Sequence, residues 1–198
     1  VIAYPDIREA NRRLADLRPE LTMFEVQALR NQPDYYPLWE RYSVGGMTSE
    51  AYWAAVLTGL GFEKTPDRVD ALIDILRSTA WAHLDQTVLT MAQGLRARGL
   101  RLGLLSNSAA YHDAAIATFA GAFDIAHFSH RIGLRKPMPA AYLGAARALG
   151  VPPEAIVFID DKRRNTAAAE QLGMRALLFQ GAEGLGSALA ALGLVDAA

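Results

Sequence analysis

Ile156-Val157-Phe158-Ile159-Asp160-Asp161-Lys162-Arg163-Arg164-Asn165 decides how the rest of the chain is read. An apolar run of strand length stops at two adjacent carboxylates, and a helical pattern follows. Two like charges side by side are costly unless a cation or strong hydrogen-bond donors share them. A buried strand that delivers paired acids to its carboxyl end is one way to hold a hard cation. The competing reading makes one acid a helix cap and leaves the other in solvent. Packing gives so apolar a strand no reason to end in two acids, which favours the cation. Asn165, four residues beyond Asp161, returns to the same place one helical turn later.

Around this stretch, strand and helix patterns alternate. Residues 100–105, 123–128, 156–159 and 174–179 read as strands, and 88–95, 109–120, 140–149, 166–172 and 183–192 as helices. Gly99 and Gly150 stand where two of those helices should stop. Such alternation predicts a parallel sheet covered on both faces. Before it the pattern is helical only. Asp6 can cap a helix over 7–17, and Thr22 with Glu25 forms a capping box for a helix to about residue 29. Thr48 caps a helix carrying Tyr52, Trp53, Val56 and Leu57, and Thr65-Pro66 opens another through Val69, Leu72, Ile73 and Leu76. The fold class is therefore α/β, a Rossmann-like parallel sheet core with a small all-helical module. Residues 1–6 read as the end of a strand, 7–82 as the helical module and 83–198 as the α/β core.

Composition narrows the partner. Half of the 198 residues are apolar, 52%, enough for a packed core. No apolar run is long enough to cross a bilayer, and the first residues lack the basic and apolar regions of a signal peptide. Twenty basic against 21 acidic residues leave a net charge of −1, so no global field attracts nucleic acid or a membrane surface. With no cysteine there is neither a disulfide framework nor thiolate chemistry, which fits a cytoplasmic protein. A small molecule is the expected partner.

Open parallel sheets bind ligands at the carboxyl ends of their strands. Two further segments are expected there. In Leu104-Leu105-Ser106-Asn107-Ser108, a hydroxyl and the following backbone N–H groups can cradle an oxyanion at a helix N-terminus. Taken alone, Ser106 or Ser108 reads more simply as a helix cap. In Gly133-Leu134-Arg135-Lys136-Pro137, Lys136 can bring a point charge to a phosphate or to the carboxylate pair, although most lysines are solvated. Tyr35, Tyr36, Trp39, Tyr42, Tyr52 and Trp53 read as the core of the helical module rather than a pocket lining. Arg41, Arg135 and the run Lys162-Arg163-Arg164 read as solvated, and His83, His112, His127 and His130 as structural.

Together, Ser106-Asn107, Lys136-Pro137 and Asp160-Asp161-x-x-x-Asn165 are far more specific than any one of them. In this order they resemble the second, third and fourth motifs of the haloacid-dehalogenase-like (HAD) hydrolase superfamily. The likeness runs along the whole chain, with the helical module matching a cap inserted after the first strand, and it is nearest to the phosphatase-like branch. The resemblance implies a Mg²⁺-dependent phosphatase of a small phosphorylated metabolite, working through an aspartyl-phosphate intermediate. It also implies residue roles. Ser106 and the Asn107 N–H would bind the phosphoryl group, and Lys136 would neutralise nucleophile and phosphate. Asp161 would hold Mg²⁺ with Asp160 in or near its shell, and Asn165 would orient their loop. One element is missing: the motif that supplies the nucleophilic aspartate in that superfamily has no counterpart here. Val1-Ile2 resembles the residues just after it, and Asp6 follows Pro5 on the cap side. The nucleophile is thus expected ahead of Val1, and without its strand the sheet should have a gap in its middle. Two alternatives remain: a 2-haloacid dehalogenase, against which the two acids argue, and a non-catalytic binding or regulatory protein.

Overall fold

A computed structural model describes residues 2–196. Val1 of the expected strand end, and the last two residues of the expected core, lie outside the described residues. None of the described helices is long and apolar enough to cross a membrane.

The chain starts with a two-residue strand, β1 (Ala3–Tyr4), and then runs through five helices. These are α1 (Ile7–Leu17), α2 (Met23–Arg30), α3 (Tyr36–Ser43), α4 (Ser49–Gly59) and α5 (Pro66–Thr79). Their starts follow local chemistry. Asp6 accepts the Glu9 N–H at 3.0 Å. The Thr22–Glu25 capping box closes in both directions, and Thr48 accepts the Ala51 N–H at 3.2 Å. Pro66 occupies the first turn of α5, where its missing N–H costs nothing. Leu14, Leu21, Tyr42, Tyr52, Leu57 and Leu72 are fully buried between these helices, and the Tyr42 and Tyr52 rings stack at 4.4 Å. After α5 the chain returns as β2 (His83–Leu84), which pairs antiparallel with β1 in the register Ala3↔Leu84 and Tyr4↔His83. The helical module therefore hangs from a two-stranded neck.

Beyond the neck the elements alternate. They are α6 (Gln86–Ala97), β3 (Gly103–Ser106), α7 (Asp113–Phe119), β4 (Ile125–Phe128), α8 (Ser129–Ile132), α9 (Pro139–Leu149), β5 (Val157–Asp160), α10 (Arg163–Gln171), β6 (Arg175–Leu178) and α11 (Ala182–Ala191). β3 pairs in parallel with β4, and β5 with β6. Side chains alternate across each strand as a period of two requires. Leu105, Phe158 and Ala176 pack on one face against Ala141, Tyr142 and Ala146 of α9. Leu102, Ile159 and Leu177 pack with Val88 and Leu95 of α6 and Leu185 and Leu189 of α11. The result is a mixed α/β fold with parallel strands between two helical layers.

Two features differ from a plain reading of the pattern. Among the described residues no strand hydrogen-bonds to both halves of the parallel sheet, so β3–β4 and β5–β6 stand as separate pairs. Their shared helical layers and a lysine described below hold the halves together. Second, the helix expected over 109–120 is broken. Ala109 is extended, a short 3-10 turn spans Ala110–His112, and α7 starts only at Asp113. The Ala109 N–H donates to His112 Nδ1 at 3.1 Å, which holds the segment after Ser106 out of the helix.

Candidate active site

The three sequence segments converge at the carboxyl ends of β3 and β5. Lys136 is the link. Its ammonium group donates to the Leu105 carbonyl at 2.6 Å, one residue before the end of β3, and to Asp160 Oδ2 at 2.7 Å, at the end of β5. Lys136 is 8% exposed and Asp160 3%, so this is a buried ion pair that needs further donors to offset its desolvation. Asp160 has them. Its Oδ1 accepts from Asn165 Nδ2 at 2.8 Å and from the Lys162 N–H at 2.9 Å. Burial works against ionisation of Asp160. The Lys136 charge and its hydrogen bond, then the Lys162 N–H and Asn165, outweigh it and hold the carboxyl below the usual carboxylate range. Asn165 is in turn fixed by the Tyr142 hydroxyl, which donates to its carbonyl at 3.0 Å.

Asn107 performs a task that its sequence position does not show. Its side-chain amide donates to the Lys136 carbonyl at 2.7 Å, and its Oδ1 accepts the Lys136 N–H at 2.8 Å. This two-way clamp fixes the Lys136 backbone against the end of β3. Ser106 is half-buried, and since α7 begins seven residues later, it caps no helix. Ser108 does not cap one either, because its hydroxyl meets His130 Nδ1 at 2.9 Å. The capping reading of both serines is thus replaced.

The two acids have different surroundings. Asp161, one residue past the strand, is exposed, while Asp160 faces the protein donors. Among the described residues no group of three or more His, Cys, Asp or Glu side chains could hold a metal ion. What is present is one free carboxylate beside a saturated one. That suits Mg²⁺, which keeps several waters and takes one or two carboxylates together with substrate phosphate. Asn165 Oδ1 is a further buried oxygen with no hydrogen-bond partner among the described residues.

Several residues were read differently from sequence. Arg135 is not solvated: its side chain is 7% exposed and donates to Glu40 Oε1 of α3 at 2.9 Å, because the turn before Lys136 packs under the helical module. His130 has a carboxylate partner, Asp113 Oδ1, at 2.9 Å from its Nε2. Tyr4, in the neck, was missed. Burial first, then the carboxylates of Asp85 and Asp161, raise its hydroxyl pKa above the ordinary value, which sets it near the acid end of the site. Its position in a two-residue strand carries no sequence signal for this. Arg41 is exposed, with its Nε on the Gly46 carbonyl, and Lys162, Arg163 and Arg164 are exposed as expected. Asp6 is a helix cap that also lies 3.4 Å from His83 Nε2.

A sequence model of haloacid dehalogenase-like hydrolases matches residues 4–173. The chain belongs to that family. Among curated relatives, it is 42% identical over 62 residues to flavin mononucleotide hydrolase 1 of Arabidopsis thaliana, a match spanning 31% of this chain and 25% of that protein. It is 27% identical over 146 residues to a glyceraldehyde 3-phosphate phosphatase of Methanopyrus kandleri, covering 71% of this chain and 63% of the relative. The chain thus spans less than two-thirds of the length of these relatives. Its fold is similar to that of a HAD family enzyme from Bacteroides thetaiotaomicron solved with magnesium and inorganic phosphate. That match has a TM-score of 0.68 and 17% identity, and covers 90% of this chain and 88% of the other.

Proposed function

We propose that this HAD-like chain carries the phosphoryl-binding and metal-binding parts of a Mg²⁺-dependent phosphatase that acts on a small phosphorylated metabolite. One observation carries the reading: the Lys136 ammonium, bonded to both Leu105 O and Asp160, joins the three motifs into a single polar site. The phosphatase names of the relatives and the magnesium–phosphate complex of a structural neighbour support it.

In this reading Ser106 donates its hydroxyl to a phosphoryl oxygen, and the Asn107 N–H donates to another. Lys136 sets a fixed positive charge against the oxygens on which charge develops, and Asn107 and Asp160 keep it from swinging away. Asp161 would hold Mg²⁺, with Asp160 beside it and Asn165 fixing their loop. When bound, the ion would offset phosphoryl charge that Lys136 alone leaves uncompensated. The aspartyl-phosphate route needs an attacking carboxylate, and Asp6, committed to capping α1, is not assigned that role. Residues 7–82 act as the cap that sets specificity, 83–198 form the core, and a cytoplasmic setting belongs to the same proposal.

The test is hydrolysis of p-nitrophenyl phosphate by the full-length protein, with chelator and with added Mg²⁺. Activity lost on chelation and restored by Mg²⁺ is expected, and Asp161→Ala should lose the metal dependence while folding normally, because Asp161 is exposed. Halide release from 2-haloacids with no phosphatase activity would overturn the proposal, as would unchanged activity in Asp161→Ala.

A further inference from the structure

Two of the contacts between the helical module and the rest of the chain land beside Lys136 and Ser106, both proposed to hold phosphate. The first is the Arg135–Glu40 pair. Arg135 immediately precedes Lys136, its side chain is 7% exposed, and its Nε is buried without a hydrogen-bond partner among the described residues. Glu40, on α3, is half-exposed and supplies the carboxylate at 2.9 Å. A buried guanidinium cannot easily give up such a partner. The position of α3 is therefore transmitted to the backbone one residue from Lys136.

The second contact runs through Gly45, in the turn after α3. Gly45 has φ of +75°, and a Cβ there would lie 2.4 Å from the His130 carbonyl oxygen, so only glycine allows this approach. His130, on α8, connects onward. Its Nδ1 meets Ser108 Oγ at 2.9 Å, two residues past Ser106, and its Nε2 meets Asp113 Oδ1 at 2.9 Å. Arg131 Nη2 also holds Asp113, at 2.6 Å. Ser108 is further locked by Ser129, whose Oγ accepts the Ser108 N–H at 2.9 Å and donates to the Ser108 carbonyl at 3.1 Å. One edge of the module thus bears on both anion-binding loops, through Arg135 beside Lys136 and through His130 to Ser108, two residues past Ser106.

We infer that Glu40, Arg135, Gly45 and His130 are positioning residues that couple the seating of the helical module to the placement of Lys136 and Ser106. This rests on the phosphatase reading, since that reading gives the two loops their role. A module seated away from α8 takes Glu40 from Arg135 and Gly45 from His130, so each loop keeps its own hydrogen bonds but loses the contact that fixes it from the module side.

The experiment uses the full-length protein with p-nitrophenyl phosphate and the variants Glu40→Gln, Arg135→Gln, Arg135→Lys and Glu40→Gln/Arg135→Gln, each with its melting temperature. Misplacing a charged group by a fraction of an ångström to an ångström lowers turnover on the order of tenfold to a hundredfold. Both single neutral variants should lose kcat by that factor while still folded at the assay temperature. The double variant should be no worse than the worse single one, and Arg135→Lys should recover most of the loss. A lower melting temperature with kcat within about twofold of the parent, or losses that multiply in the double variant, would overturn the coupling. Hydrogen exchange separates this outcome from failure of the phosphatase reading itself. Faster exchange in Glu40→Gln at 106–109 and 133–138 supports the coupling even if the parent hydrolyses no phosphoester. Acceleration confined to α3 would overturn it.

Discussion

Lys136→Met should destabilise the protein by about 3–5 kcal/mol, the usual cost of removing one partner from a buried ion pair. The methionine fills the aliphatic path of the lysine, so the loss is electrostatic rather than a cavity. It leaves Asp160, 3% exposed, ionised with only the Asn165 amide and the Lys162 N–H as donors. It also removes the donor to the Leu105 carbonyl, which accounts for about 1 kcal/mol of the total. Asp160→Asn should cost a similar amount by stranding the ammonium. Lys136→Met/Asp160→Asn removes both charges and should recover at least about half of the summed loss. Urea unfolding of the full-length protein at pH 7 and pH 5 measures all four states. In the parent, the depressed Asp160 pKa means that the pair's stabilisation is complete above the unfolded carboxyl pKa, about 3.9. It is lost only as pH falls through the folded value, so the parent should barely change between pH 7 and 5. In Lys136→Met, burial dominates and Asp160 takes up a proton more readily, so its penalty should shrink at pH 5. A Lys136→Met protein within about 1 kcal/mol of the parent at pH 7, or additive losses in the double variant, would refute the pairing as described.

Two further expectations concern folding alone. Thr22→Ala removes one half of the α2 capping box and should cost about 1 kcal/mol in thermal or urea unfolding, leaving catalytic constants unchanged. Burial pushes the His112 imidazole pKa down to about 4, despite the nearby Ala109 carbonyl and the charge of Asp113. The unfolded chain therefore binds this proton first, and stability should fall as pH drops from about 6.5 towards 4, by up to on the order of 3 kcal/mol. His112→Gln, whose amide oxygen can still accept the Ala109 N–H, should flatten that slope in unfolding measured from pH 7 to 4; an unchanged slope would show that His112 does not carry it.

The features legible in the sequence are those whose cause is local. Asp6, Thr22 with Glu25, Thr48 and Pro66 each act within one helical turn, so α1, α2, α4 and α5 follow from short stretches read in isolation, whereas α3 starts without a side-chain cap. The alternation beyond the neck follows likewise from side chains that pack at a period of two or of 3.6. The region after Ser106 misleads because its apolar residues keep helical spacing, while the His112 ring captures the Ala109 N–H and delays the helix. Site features were hidden when the partners lie far apart in sequence. The Asn107 clamp spans 29 residues to Lys136, and the Arg135 pair spans 95 to Glu40. Nothing around Arg135 marks it as buried, since a basic residue beside a lysine and a proline looks like surface chain. Tyr4 was equally hidden, because its neighbours in space are carboxylates from two distant loops.

The adjacent acids at the end of β5 resolve their mutual repulsion by division of labour. β5 ends at Asp160 and the chain bends at Asp161, so the two side chains meet different surroundings. Asp160 faces inward, where Lys136, Asn165 and the Lys162 N–H satisfy both of its oxygens. Lys136 and Asp160 then cancel in charge, and the net negative charge of the strand end resides on exposed Asp161. A cation approaching Asp161 would not compete with Lys136 for the same carboxylate, so one positive group can serve each acid. In the proposed function, the same division would keep the Lys136 ammonium from turning to Asp161, where it would occupy the position proposed for the metal and withdraw its charge from phosphate. Asn165 is what maintains it. By holding Asp160 Oδ1 through its amide while Tyr142 holds its own carbonyl, it keeps the inner acid turned away from the outer one.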